Sequence, residues 1–171
     1  RPPSHEDHEP DMSIRPATSH DRDAVWHILE PVFRASETYA IDPAISRQDA
    51  LAYWMGGDSE AFVFEDAGEV LGTYYLRPNH GGGGAHVCNC GYITATAAAG
   101  RGIARQMGED SLRRARERGF RAMQFNFVVA SNVGAVHLWE TLGFAAVGRL
   151  PNAFDHPARG MVDALIMYRQ L

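Results

Sequence analysis

Two regions of this 171-residue sequence combine residue types and spacings that can do chemistry. In Gly91-Tyr92-Ile93-Thr94-Ala95-Thr96-Ala97-Ala98-Ala99-Gly100-Arg101-Gly102-Ile103-Ala104, a strand-like run passes through two glycines into a helical pattern. A helix opened this way leaves main-chain N–H groups unpaired at the positive end of its dipole, which suits a phosphate, and glycine lets a ligand approach closely. A tight strand-to-helix turn with no ligand fits the same residues. Asn89 and Asn126 stand on two nearby strand-like segments, each with one acceptor and two donor positions. They could act together on a ligand or merely satisfy buried main-chain groups. His86, Cys88 and Cys90 share one strand face, but no fourth ligand is evident and the spacing is not a usual one for zinc, so no metal is expected. Two thiols so placed are poorly set for a mutual bridge, and reduced cysteines are the expectation.

Familiar nucleotide motifs do not account for the glycine turn. The third small residue of a dinucleotide fingerprint is replaced by Arg105, and Gly-Lys-Ser/Thr of a phosphate-binding loop is absent. A net charge of -5 argues against coating nucleic acid, and the Arg113-Arg114-Ala115-Arg116-Glu117-Arg118 run reads as a solvated helix face. No apolar run is long enough to span a membrane and no signal peptide is legible, so a cytoplasmic protein without membrane partners is expected. Residues 1–11 read as an unpacked extension or expression remnant, with Met12 as the expected native start and 12–171 as one domain.

The positioning elements follow from periodicity. Met12 to Pro16 reads as a strand, and Val25, Ile28, Leu29, Val32 and Phe33 form one helical face, which Pro31 should kink. Ser46 and Asp49 suggest a capping box for a second helix carrying Ala50, Leu51, Tyr53 and Trp54. Ala61 to Phe64 and Val70 to Leu76 read as a hairpin through Glu65-Asp66-Ala67-Gly68, and a longer strand runs from about His86 to Thr94. A helix over Arg101 to Arg118 buries Ile103, Met107, Leu112 and Ala115. Met123 to Val129 is a strand. Ser131 or Asn132 can cap a helix bearing Val136, Leu138, Trp139 and Leu142, and strands over Phe144 to Leu150 and Val162 to Tyr168 close the chain. This order predicts an α/β (α+β) fold, a mixed sheet with helices on both faces.

The glycine turn resembles the acetyl-CoA motif of the GCN5-related N-acetyltransferase superfamily, Gln/Arg-x-x-Gly-x-Gly/Ala, with Gly102 and Ala104 in place and Ala99 departing at the first position. A second signature of that superfamily, Asn-x-x-Ala-x-x-Leu-Tyr-x-x-x-Gly-Phe, is matched by Asn132, Ala135, Leu138, Gly143 and Phe144, with Trp139 where the tyrosine stands. The element order is similar over nearly all of Met12 to Leu171. His86 to Tyr92 and Gln124 to Phe127 resemble more narrowly the branch containing the fungal acetyltransferase of proline analogues such as azetidine-2-carboxylate.

The resemblance implies a mostly antiparallel sheet of six to seven strands whose fourth and fifth strands splay, the fourth carrying a bulge with Gly91 at its mouth. Main-chain groups of Tyr92, Ile93 and Thr94 would hold the pantetheine arm. Ala99, Gly100, Arg101, Gly102, Ile103 and Ala104 would hold the pyrophosphate, with Arg101 and Arg105 adding positive charge and Asn132 joining the cofactor site. It implies acetyl transfer from acetyl-CoA to a small amine or amino-acid-like acceptor, with Asn89 and Asn126 gripping a carboxylate and Tyr39 on the acceptor wall. For the base, Glu37 leads and His86 is the rival, while an amine already neutral in solution needs neither. Trp139 is too weak an acid to protonate a thiolate, and core packing is its expected role. The alternatives are acetylation of a protein N-terminus or lysine, and a noncatalytic acyl-CoA-binding regulator. A homodimer is compatible with the family.

Overall fold

The computed structural model describes residues 12–171, so the expectation for residues 1–11 lies outside the described residues. Strands β1 (Met12–Pro16), β2 (Glu60–Asp66), β3 (Glu69–Pro78), β4 (Val87–Thr94), β5 (Ala122–Val129), β6 (Ala145–His156) and β7 (Gly160–Gln170) form one sheet in the order β1-β2-β3-β4-β5-β7-β6. Helices α1 (Arg22–Ala35) and α2 (Arg47–Met55) lie between β1 and β2, α3 (Ile103–Glu117) between β4 and β5, and α4 (Val133–Thr141) between β5 and β6. Every neighbouring pair is antiparallel except β4–β5, which is parallel.

Strand alternation builds a core on each face of the sheet. Phe62, Phe64, Tyr74 and Leu76 point to the side where Ile103, Met107 and Leu112 of α3 pack. Val63, Tyr75 and Ile93, the intervening residues, meet Val25, Leu29 and Phe33 of α1 and Trp54 of α2. Burying side chains of this size contributes roughly 1.5–3 kcal/mol each. Trp54 adds direction, since its indole N–H donates to Thr73 Oγ1 (3.0 Å), whose hydroxyl donates to the Phe62 carbonyl (2.8 Å).

The local signals mostly act as their residue types suggest. Ala67 and Gly68 both take positive φ, the conformation of a two-residue hairpin turn between β2 and β3. Ser46 Oγ accepts the Asp49 N–H at 3.1 Å and caps α2, whereas the reciprocal capping box sits earlier, between Thr18 and Asp21. Helix α1 continues through Pro31, which lies on its exposed side. Helix α3 starts at Ile103 rather than Arg101, because Gly100 and Gly102 occupy left-handed conformations. The last two strands extend well beyond their apolar cores, through His156 and Gln170.

Asp21 anchors the start of α1. Its carboxylate accepts from Arg15 Nη1 (2.8 Å) and Nη2 (2.9 Å) and from the Thr18 N–H (2.7 Å), and the Arg15 bonds are the main reason its pKa is held down to about 2 despite burial. A folded-state value below the unfolded one stabilises the fold above about pH 4 and is lost as pH falls toward 2. Asp21→Ala should therefore lower the unfolding free energy by about 2 kcal/mol at pH 7, with roughly half of the difference gone by pH 3. Urea unfolding at a series of pH values checks this, and a difference constant down to pH 3 contradicts it.

Candidate functional site

The sheet is forked at its centre. Strands β4 and β5 pair only at Val87↔Ala122 and Cys88↔Met123, after which no ladder joins them. The irregularity lies in β5, which shifts register against β7 between Phe125 and Val128, so that Asn126 and Phe127 share one partner position. The expected bulge on the fourth strand is not seen, because β4 pairs with β3 without a shift from Cys88 to Thr94. Gly91 has a different reason. A Cβ there would lie 2.6 Å from the Tyr75 ring of the directly opposed residue, so glycine lets that ring lie over the strand.

Register decides which main-chain groups face the gap. The Asn79 N–H donates to the Val87 carbonyl and the Ala95 N–H to the Leu71 carbonyl, both at 2.8 Å. Odd-numbered β4 residues therefore exchange bonds with β3, and Cys90, Tyr92 and Thr94 turn their N–H and C=O groups toward β5. Of the expected trio, Ile93 is thus directed to β3. Tyr92 already has a partner, since its N–H donates to the Tyr39 hydroxyl (2.9 Å), which donates to the Tyr92 carbonyl (3.0 Å). Thr94 has no ladder partner on the open side among the described residues. Tyr39 is held by edge contact with Phe33 (5.6 Å between ring centroids) and by Trp54 (6.1 Å), and burial raises its pKa.

A cavity of about 400 Å³ fills the fork. Both Asn89 and Asn126 line it. Just past the last paired residues, Asn89 Nδ2 donates to the Gln124 carbonyl (2.9 Å) and Oδ1 accepts from the Tyr75 hydroxyl (3.2 Å), so its amide spans the apex. Asn126 Nδ2 donates to Asn79 Oδ1 (2.7 Å) and its Oδ1 accepts from Gln124 Nε2 (3.0 Å). Each amide nitrogen therefore has one N–H beyond these bonds. Thr38, Tyr39, Tyr53, Tyr75 and Arg77 also line the space, with Trp139 at 4.8 Å from both Tyr92 and Phe125 between ring centroids.

Neither expected base reaches the cavity. Glu37 is exposed and does not line it, although its neighbours Thr38 and Tyr39 do. His86 is exposed at the closed end of the fork, where its carbonyl accepts the Arg121 N–H (2.8 Å). Cys88 and Cys90 are both free and buried, and burial pushes the Cys90 thiol up. His86 thus does not join them in one enclosed site.

From the open end of β4 the chain enters the glycine turn. Gly100 and Gly102 have φ of 80° and 75°, and Gly102 is the N-cap of α3 with no side-chain capping bond. The Gln106 N–H is the first to return to the Gly102 carbonyl, which leaves the preceding N–H groups open. A Cβ at either glycine would meet nothing within 4 Å, so conformation rather than crowding selects glycine there. Arg101 pairs with Asp66 (2.9 Å) and Arg105 with Glu109 (3.1 Å), which offsets the positive charge they were expected to add. Helix α4 is likewise uncapped by a side chain, contrary to the expectation for Ser131 or Asn132. Ser131 Oγ is buried without a partner among the described residues, and Asn132 lines the cavity instead.

Tyr75 and Arg77 were not singled out by sequence, although their i, i+2 spacing on β3 places them on one face. The fork, the cavity and two uncapped helix starts together form a cleft that offers N–H groups to an anion at one end and an extended main-chain edge at the other.

A model of the Acetyltransferase (GNAT) family matches residues 22–144. The N-acetyltransferase aca1 of Schizosaccharomyces pombe is 35% identical over 98 residues, 57% of this chain and 47% of that protein, so the chain spans about half the length of this curated relative. A GCN5-related N-acetyltransferase from Kribbella flavida superposes with a TM-score of 0.90 at 41% identity, over 94% of this chain and 98% of that one. A phosphinothricin acetyltransferase from Sinorhizobium meliloti in complex with AcCoA has a TM-score of 0.82 at 19% identity, over 94% of this chain and 89% of that one, a likeness of fold.

The Tyr39 hydroxyl replaces two missing ladder bonds, and Tyr39→Phe should lower stability by about 1–2 kcal/mol. The shift in urea midpoint measures this, and no shift would show that the hydroxyl contributes nothing to holding the open edge.

Proposed function

The chain belongs to the acetyltransferase (GNAT) family, and on that premise we propose that it moves the acetyl group of acetyl-CoA to the nitrogen of a small amine or amino-acid-like acceptor, with both substrates bound at once. One observation carries the reading: the open edge of β4 leads directly into a helix start whose N–H groups lack side-chain caps. The diphosphate fits Gly100 to Ala104, as anions fit uncapped helix starts. The arm of the carrier fits the edge formed by Thr94 and by Tyr92, where the Tyr39 hydroxyl now stands in as partner. Asn132 faces the same cavity and can bond the carrier.

Acetyl-CoA supplies a thioester, an acyl group already activated for attack. The acceptor nitrogen adds its lone pair to the carbonyl carbon, the carbon–sulfur bond breaks, and the thiolate leaves with that electron pair. The nitrogen sheds its proton to solvent and the thiolate takes one from solvent, giving an amide and free thiol. A thiol is a good enough leaving group to depart without a dedicated acid, which removes the need for a tyrosine at Trp139. The fork contributes positioning, which alone can account for several kcal/mol of barrier lowering. Buried reduced thiols suit a reducing compartment such as the cytoplasm.

Among the described residues no carboxylate or histidine lines the cavity, and burial pushes Tyr39, Tyr75 and Cys90 upward, away from neutrality. The amine must therefore arrive neutral. The logarithm of kcat/KM should rise with a slope of about 1 toward the acceptor's own amine pKa, and acceptors of different basicity should shift the profile accordingly. An inflexion between pH 4 and 7 common to all acceptors, and lost in Glu37→Gln, would instead establish Glu37 as a base.

Gly102→Val forces a branched side chain into the left-handed region and disturbs the phosphate end. Acetyl-CoA affinity, measured by titration calorimetry, should fall by about tenfold or more. Unchanged affinity in a folded variant would remove the turn from the site.

A further inference from the structure

We infer that Arg77 selects acceptors carrying an anionic group, a carboxylate in the amino-acid-like class, and that it is the charged anchor of the acceptor pocket; this rests on the acyl-transfer reading above. Among the described residues, Arg77 is the single formally charged side chain lining the cavity. Its guanidinium carbon lies 4.2 Å from the centre of the Tyr75 ring and 4.6 Å from that of Tyr53, so two aromatic rings flank it. No carboxylate among the described residues pairs with it, whereas Arg101 and Arg105 at the phosphate end are each paired.

A tethering role accounts for only part of the side chain. Nη1 donates to the Tyr53 carbonyl (3.2 Å) and to Ser59 Oγ (3.3 Å), tying the end of α2 and the approach to β2 to the sheet. Nε and Nη2 have no acceptor among the described residues. Two donors in one rigid plane match the two oxygens of a carboxylate, and such charge-assisted bonds are about twice as strong as neutral ones. The flanking rings and the two Nη1 bonds hold the guanidinium in place before a ligand arrives, which lowers the cost of ordering it.

The surrounding groups are consistent with an anion. Asn89 and Asn126 line the same cavity and each retains one amide N–H beyond its protein bonds, so each adds a donor but no charge. Tyr75 connects the two parts of the pocket, since its ring packs on Arg77 and its hydroxyl donates to Asn89 Oδ1. An uncompensated cation in a partly enclosed space repels polyamines and lysine side chains and attracts zwitterions. The same charge disfavours the protonated form of a nearby amine, which helps in a pocket without a base.

The test follows thiol release from acetyl-CoA with matched acceptors: a small amino or imino acid, its primary carboxamide, and the same amine lacking the carboxyl group. The readout is the ratio of kcat/KM for the acid to that for the carboxamide, compared between proteins so that differences in amine basicity cancel. Wild type should favour the acid, and Arg77→Met should reduce the ratio by about tenfold or more. Arg77→Lys, which keeps the charge but loses the planar fork, should fall between and guards against a packing defect. An unchanged ratio in Arg77→Met, or a wild-type protein active only on acceptors without an acidic group, overturns the assignment and leaves acyl transfer standing. A protein that binds acetyl-CoA but releases thiol with none of these acceptors overturns the acyl-transfer reading and this inference with it.

Discussion

Two adjacent parallel strands that pair for only two residues and then part are the constraint on which the rest of the molecule depends. Splitting a sheet exposes main-chain donors and acceptors, and such groups are costly to leave unmet away from water. Here the gap is tolerated because polar side chains cross or fill it. The Asn89 amide reaches the Gln124 carbonyl at the apex, and the Tyr39 hydroxyl takes both main-chain groups of Tyr92 farther along. The remainder of the edge, at Thr94, has no ladder partner on that side among the described residues.

The packing on either side makes this arrangement durable. On one face Phe33 and Trp54 hold Tyr39, and on the other Trp139 packs against Tyr92 and Phe125 as the strands diverge. The residue whose counterpart in the family signature is a tyrosine thus serves here as a wedge of apolar surface. Two helices begin at the open end without side-chain caps, so their positive ends add N–H donors beside the split edge. Acyl transfer on such a framework depends on position and main-chain polarity more than on reactive side chains.

Much of the fold could be read from the sequence because it rests on local signals. Alternation in Phe62 to Phe64 and Tyr74 to Leu76 separates the two cores, and the pair Gly100 and Gly102 marks the turn. The proposed cofactor end of the site rests on the same kind of local signal, since its residues are contiguous. The acceptor end is assembled from β3, β4, β5 and the connection after α1, and periodicity does not say how these meet. The irregularity consequently falls on β5 at Asn126 and Phe127 rather than on β4. Glu37 stays at the surface, His86 sits at the closed end, and Arg77 enters as the charged group of the pocket. An arginine near the end of a largely buried strand, two residues after a tyrosine, is the local hint of that last feature.

Amide hydrogen exchange with and without acetyl-CoA tests the central claim most directly, because it reads the main-chain groups themselves. Binding should slow exchange at Thr94 and from Gly102 to Arg105, and leave the paired end near Val87 and Cys88 unaffected. Acetyl-CoA that binds while those amides exchange at their unliganded rates would contradict the account.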